Sequence, residues 1–425
     1  MSVLSYQTQL SQAVKLHEAG HIKEAAQCYR AILKTHPDDF DALHLLAVSE
    51  LQLGNTTSAF ELFEEALQHH THCPPEFFFN RGIVLQALQQ HKEAIESYDR
   101  AIALKPDYAS AHYNAGFSLL LTGQFERGWQ EYEWRRLATN SQKGIPTFTE
   151  PQWLGNFSLQ NKTIFLHAEQ GIGDAIQFCR YIPYVAQLGA HIILGIPTAL
   201  KPLLTQLKHV THLTADAEPI PHFDCFCPLM SLPLALFHYL GTPPQTIPYL
   251  HSSPLLSTTW QTRVKQLNPK KLTRIGIAWS GGINTANDQH RSIHLDRLAS
   301  LFSTPATFFC LQKEIRDHDL STLHNFSNLH FMGTHLNDFS ETAALIEEMD
   351  LIISVDTSVA HLAGAMGKPL WLLLPYAPDW RWLLNTEKSA WYPSAHLFRQ
   401  PKFNDWDSVI KLITHQLTTH PLLAN

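Results

Sequence analysis

Along the first third of the chain, apolar residues recur every three to four positions, in pairs of amphipathic stretches joined by short polar turns. FFFNRGIVLQALQQ followed by HKEAIESYDRAIAL is one such pair. This spacing predicts helical hairpins. Residue types recur with it: Gly20 and Gly54 are 34 positions apart, as are Ala25 and Ala59, and the aromatic series Tyr29, Phe63, Tyr98, Tyr132 steps by 34, 35 and 34. Gly82 and Gly116 occupy equivalent small positions, Ala94 and Ala101 continue the pattern, and Pro37 and Pro106 each close a unit. The one extra residue fits the irregular THCPPE segment. Small residues let paired helices approach and the aromatic fills the gap to the next pair, as a stacked repeat requires.

This pattern resembles the tetratricopeptide repeat, with three complete units and a fourth ending near Arg136 over residues 1–140. The resemblance implies a surface that docks a peptide or protein and carries no chemistry of its own.

From 141 to 160 the periodicity breaks into NSQKGIPTFTEPQWLGNFSLQN, rich in turn formers, and a linker is expected there. Beyond it, short β-rich runs alternate with helical stretches. Strands are expected at Thr163–His167, His191–Ile196, Arg274–Trp279, Thr307–Leu311, Leu329–Met332, Leu351–Val355 and Leu370–Leu374, with helices such as Asp174–Leu188 and Glu341–Met349 between them. Such alternation predicts parallel sheets covered by helices. Polar, Gly-rich loops follow four of the strands: AEQGIGD, SGG, QKE and DTSVAH. In open α/β sheets ligands bind outside the carboxyl ends of strands, where helix N-termini offer unpaired N–H groups. A ligand held between two Rossmann-like lobes, 161–270 and 271–425, is therefore expected. GIGDAI begins like a dinucleotide fingerprint, but Ile176 stands where the third glycine belongs and HIILGIP ends without the ribose-binding acid, which excludes NAD.

Each loop offers specific groups. Asp356 and Thr357 end a strand, and the N–H groups of Thr357, Ser358 and Val359 would face a diphosphate, aided by the helix dipole. His361 lies four residues after Thr357 on the same helix face, placed to donate to phosphate or ribose. Ser280, Gly281 and Gly282 bring further backbone N–H groups to phosphate oxygens. Arg291 is the expected charged clamp on the diphosphate. Asp379, Trp380, Arg381 and Trp382 follow the last strand, either lining a sugar or acceptor site or packing against the other lobe.

The segment DLIISVDTSVAHLAGAMGKPLWLLLP resembles the nucleotide-sugar segment of the ADP-heptose transferase family of GT-B glycosyltransferases. The combination with repeats is similar to the architecture of protein O-linked N-acetylglucosamine transferases. The resemblance implies a GT-B fold and transfer of a sugar from a nucleoside-diphosphate sugar, a co-substrate rather than a bound cofactor, to a hydroxyl on a protein or glycan. It implies phosphate or nucleotide contacts from Gln312 and Lys313, and it places Asp174 at the position of the catalytic base. Glu169 and His167 are rival bases on the same loop. The lobe between 161 and about 270 is short for the acceptor half of these enzymes, so a lipid-sugar acceptor is not implied.

Composition adds exclusions. With 38 acidic and 31 basic residues the net charge is −7, so no basic field attracts nucleic acid. No apolar run approaches the ~20 residues of a spanning helix, and MSVLSYQTQLSQAVKL lacks the features of a secretory signal, so a cytoplasmic location is expected. Six cysteines, with Cys225 and Cys227 as a CxC in an apolar stretch, make no disulfide framework. Neither HExxH nor a DxD pair in a suitable loop occurs among the 26 histidines and 38 acids, so no metal is expected and side chains must supply positive charge to the leaving group. The alternative is a repeat-based adaptor whose transferase-like domain has lost activity.

Overall fold

The computed structural model describes residues 6–138, 148–282 and 288–419. The chain divides into two compact units, Met1–Gly144 and Ile145–Asn425.

In the first unit the helices pair as α1 (Tyr6–Glu18) with α2 (Ile22–Leu33), α3 (Phe40–Gln52) with α4 (Thr56–His69), α5 (Pro75–Ala87) with α6 (His91–Leu104), and α7 (Ala109–Leu121) with α8 (Phe125–Tyr132). Each hairpin turns on a residue in the left-handed region: Gly20, Gly54 and Gly123 at φ of 81°, 85° and 80°, and Gln89 at 62°. The residue after each donates back across the turn, His21 to Leu16, Asn55 to Glu50, Gln90 to Leu85 and Gln124 to Leu119, at 2.8–2.9 Å. These are Schellman closures, which favour glycine at the left-handed position; the third unit makes the turn without one. The sequence periodicity has a packing cause. A Cβ on Gly82 would strike the ring of Tyr98, and one on Gly116 would lie 2.5 Å from the backbone nitrogen of Tyr132. Glycine and aromatic therefore recur together because each pair occupies one contact.

The second unit holds two parallel sheets. The first orders β3 (Val210–Ala215), β2 (His191–Ile196), β1 (Thr163–His167) and β4 (Cys225–Pro228). The second orders β10 (Ala395–Arg399), β9 (Leu370–Leu374), β8 (Leu351–Val355), β5 (Thr273–Ala278), β6 (Ala306–Cys310) and β7 (Leu329–Phe331). Read from its own first strand, the second sheet runs 3-2-1-4-5-6, and its strand order reverses between β5 and β8; the first reverses between β1 and β4. Ligand sites of open α/β sheets lie at such reversals. The strands β6, β8 and β9 are buried along their whole length, as two covered faces demand.

Three features depart from the sequence reading. Strands β3, β4 and β10 were not among the expected set: VTHLTA interleaves polar residues, and CFCP has only four residues. The expected linker 141–160 lies partly outside the described residues. From Phe148 onward it packs on the first sheet, with Phe148 against Phe165, Phe223 and Phe226 and the Trp153 N–H donating to the Phe226 carbonyl at 2.8 Å. The helix α9 (Pro254–Leu267), which a boundary at 270 assigns to the first lobe, joins the second: Trp260 is buried and its indole N–H donates to Glu341 at 2.5 Å.

Candidate functional site

Two strand-to-helix turns face each other within the second unit. After β1 the chain enters the helix Ile172–Phe178, and after β8 it enters the helix Ser358–Ala365. The helices touch where Gly173 has no side chain: a Cβ there would lie 2.8 Å from His361 Cδ2 and 3.5 Å from Ser358 Cα. The chain also ties the two sheets together around this contact. Tyr249 donates its backbone N–H to the Ala365 carbonyl at 3.0 Å, and its hydroxyl donates to the Ile176 carbonyl at 3.0 Å.

Asp174 sits in the first turn of its helix with both carboxylate oxygens engaged. Oδ2 accepts the Gly171 N–H at 2.8 Å, closing a cap on its own helix, and Oδ1 pairs with Arg381. Arg381 is buried. It also donates to Gln177 at 2.7 Å and Asp379 at 2.8 Å, and it lies 4.2 Å over the Trp380 ring. Asp174 was expected as the catalytic base; the structure gives that carboxylate a cationic partner from the opposite lobe. His167 is buried among aromatic rings with Nδ1 3.1 Å from the Ala168 carbonyl oxygen, and Glu169 is half-buried.

The β8 turn is built as its pattern suggested, with different partners. Thr357 is the N-cap residue, yet its side chain makes no capping hydrogen bond; its hydroxyl lies 3.3 Å from that of Ser354. Ser358 is half-buried at the first position of the helix. Burial, then repulsion from Asp379, pushes the Asp356 carboxyl up to about 6, opposed by Trp382, Arg381 and Arg291. His361 does not project toward an open donor site. It is buried, stacked 5.4 Å from Trp382, with Nδ1 2.9 Å from the Tyr392 hydroxyl and Nε2 3.7 Å from Asp356. Burial, then the charges of Arg381, Arg180 and Arg291, hold it well below the ordinary imidazole range. Three guanidiniums from three different segments thus act on His361, and two of them, Arg381 and Arg291, act on Asp356 as well.

Gln312 departs furthest from expectation. Its amide oxygen accepts the N–H of Trp279 at 2.6 Å and of Ser280 at 3.0 Å, and its amide nitrogen donates to the Ser280 hydroxyl at 2.9 Å. It moulds the SGG loop and occupies the backbone donor that Ser280 was expected to offer. The Gly281 N–H likewise donates to Ser292 at 3.2 Å. Gly281 is required by close approach, because a Cβ there would strike Asp288 and lie 2.7 Å from Arg291. Gly282 is exposed beside residues 283–287, which lie outside the described residues. Arg291 pairs with the buried Asp288 at 3.2 Å, and Lys313 is exposed, donating to the Asn337 carbonyl at 3.4 Å.

The sequence reading missed Arg180 and Arg316. Arg180 is buried and, among the described residues, has no carboxylate partner: it donates to the carbonyls of Gln177, Pro244 and Trp391 and to the Tyr249 hydroxyl, and it lies 4.7 Å over Tyr392. A charged residue inside the apolar QFCRYIPY run was the available signal. Arg316 pairs with Asp288 and donates to the Gly281 carbonyl at 3.3 Å, bringing a second cation to the SGG loop. A cavity of about 500 Å³ elsewhere, lined by Arg263, Leu267, His324, His330, Met332 and His335, flanks the edge strand β7 and shares no residue with this site.

Comparison with known proteins bears on both units. Tetratricopeptide-repeat models match residues 11–71 and 82–123, and the model of glycosyltransferase family 9 (heptosyltransferase) matches residues 313–391. The chain combines tetratricopeptide repeats with a glycosyltransferase family 9 domain. That match spans the β8 turn and Asp379–Trp382, and it supports glycosyl transfer in general. Protein FlbA of Caulobacter vibrioides is 23% identical over 426 residues, covering 93% of this chain and 70% of that protein. The UDP-N-acetylglucosamine–peptide N-acetylglucosaminyltransferase of Giardia intestinalis is 27% identical over 115 residues, 26% of this chain and 8% of that protein. Among solved structures, the crystal structure of MamA is 22% identical and covers 31% of this chain and 72% of that one, with a TM-score of 0.29. No helix among the described residues is long and apolar enough to cross a membrane.

Proposed function

We propose that the second unit is a GT-B glycosyltransferase that moves a sugar from a nucleoside-diphosphate sugar to a hydroxyl, with the repeats docking a protein or glycan acceptor. The observation that carries this reading is the N-terminus of the Ser358–Ala365 helix. It stands at the strand-order reversal, its N-cap Thr357 makes no side-chain cap, and the charges of Arg381 and Arg291 act on Asp356 before it and on His361 within it. Backbone N–H groups with converging guanidiniums are suited to a diphosphate and to the charge that grows on it as the glycosidic bond breaks. Positive charge from side chains takes the place of a metal in this reading, so chelators should leave turnover unchanged.

Arg381 then links the two substrates. It holds Asp174, and a diphosphate at the helix N-terminus would compete for the same guanidinium. Donor binding would draw Arg381 away and leave Asp174 free to take the proton from the acceptor hydroxyl as its oxygen attacks the anomeric carbon and the nucleoside diphosphate departs. The expected order is donor first, acceptor second.

The adaptor reading draws on one observation, that Asp174 has both oxygens engaged. Thermal unfolding against adenosine, uridine, guanosine and thymidine diphosphates separates the two. A ligand of the native state must raise its apparent stability. A shift with one nucleotide, absent in Arg291→Ala, supports the transferase; no shift with any of the four favours the adaptor.

A further inference from the structure

We propose that His294, His318 and Asp319 form a divalent transition-metal site of the zinc class, separate from the residues assigned to sugar transfer. His294 precedes the short turn Leu295–Leu298, and His318 and Asp319 open the helix Asp317–Leu323. Their ligand atoms all lie within 4.8 Å of one another, with His318 Nε2 3.6 Å from Asp319 Oδ2 and the two imidazole centroids 4.3 Å apart. Tetrahedral zinc with bonds near 2.0–2.1 Å needs ligand atoms about 3.3 Å apart. Small rotations of two exposed imidazoles would close that gap without moving the backbone.

The carboxylate is the part a chance surface cluster lacks. Asp319 is only 2% exposed, and its orientation is fixed by two donors, the Leu295 N–H to Oδ1 at 2.9 Å and the Trp279 indole N–H to Oδ2 at 2.8 Å. Such outer hydrogen bonds aim a ligand and sharpen a metal site. Each carboxylate oxygen retains a lone pair beyond the one used. Two imidazoles with one carboxylate suit zinc, cobalt, nickel or copper, and they do not suit calcium or magnesium, which take oxygen ligands. Three protein ligands leave a coordination position for water. His294 lies 24 and 25 positions before the adjacent His318 and Asp319, so no local metal motif marks them, and the expectation of no metal drawn from such motifs does not reach this site.

The inference does not depend on the sugar-transfer reading, and its test needs no substrate. The full chain, stripped with chelator, is titrated with zinc by calorimetry and with cobalt(II) by visible absorption, beside His294→Ala and His318→Ala. Both histidines are exposed, so the variants should keep the native circular dichroism. The expected result is one saturable 1:1 site whose affinity falls at least tenfold in each variant, with loss of the cobalt bands. A wild-type chain with no saturable site, or a site whose affinity persists in either variant, overturns the proposal. The remaining histidines give only weaker background, which both variants retain.

Discussion

Replacing Asp174 with Asn tests the proposed chemistry where the structure constrains it most. The native carboxylate accepts from Gly171 on one oxygen and from Arg381 on the other. An amide has one oxygen, so whichever way it turns, its NH2 group meets a donor. One of the two bonds is lost. If Gly171 loses it, the helix forfeits its cap, about 1 kcal/mol. If Arg381 loses it, the cation still has Asp379 and Gln177, so the cost stays near 1–3 kcal/mol, the range for a hydrogen bond to a charged group. The native fold should therefore survive with a loss of about 2 kcal/mol.

Turnover should fall far more, by the ~10²–10⁴-fold typical of a lost general base. The assay is release of nucleoside diphosphate from the donor that the thermal screen identifies, run with Arg381→Gln alongside. Removing the cation favours the protonated form of a neighbouring carboxylate. In Arg381→Gln the acid limb of the rate profile should move to higher pH; in Asp174→Asn that limb should vanish. A pair that only fastens the two lobes would lower turnover alike in both variants and shift neither limb, and that result refutes the assignment of Asp174 as base.

Three further outcomes follow from the packing and the charges. Because the folded-state carboxyl of Asp356 is pushed up to about 6 from an ordinary 3.8, its contribution to stability is fully present below about pH 3.8 and lost as pH rises through 6. That contribution is about 3 kcal/mol at most, and Asp356→Asn should flatten this part of the denaturation curve between pH 4 and 7; an unchanged slope counts against the shift. In the repeats, Gly116→Ala should destabilise by about 1–3 kcal/mol through overpacking on the Tyr132 backbone, whereas Gln89→Gly should stabilise the third hairpin turn by up to about 1 kcal/mol, both read by urea midpoints. A fragment beginning at Ile145 should fold alone, but one beginning at Gln160 should be less stable by at least about 3 kcal/mol, since it lacks the buried Trp153 and the Phe148 contacts; equal melting of the two would show that the segment is a linker after all.

What the sequence revealed and what it hid have physical causes. The repeats were legible because their signal is redundant: period, residue type and turn position coincide, and the glycine–aromatic contacts in the structure explain the coincidence. Strands β1, β2, β8 and β9 were legible to the residue because buried parallel strands are unbroken apolar runs. The segment 148–160 was misleading because its polar turn formers outnumber the two aromatic residues that anchor it. At the site, the loops and their strand-end positions could be read, since those follow from local pattern. The partners could not. Gln312 occupies donors that glycine-rich sequence made available, and Arg381 reaches Asp174 across 207 positions. Local sequence shows which groups can bind an anion; only the tertiary contacts show which of them are already satisfied. Among these residues the distinction has a functional consequence. A guanidinium that holds the proposed base and borders the proposed diphosphate site cannot serve both fully at once, so its ion pair with Asp174 is the contact a donor would have to exchange before an acceptor could react.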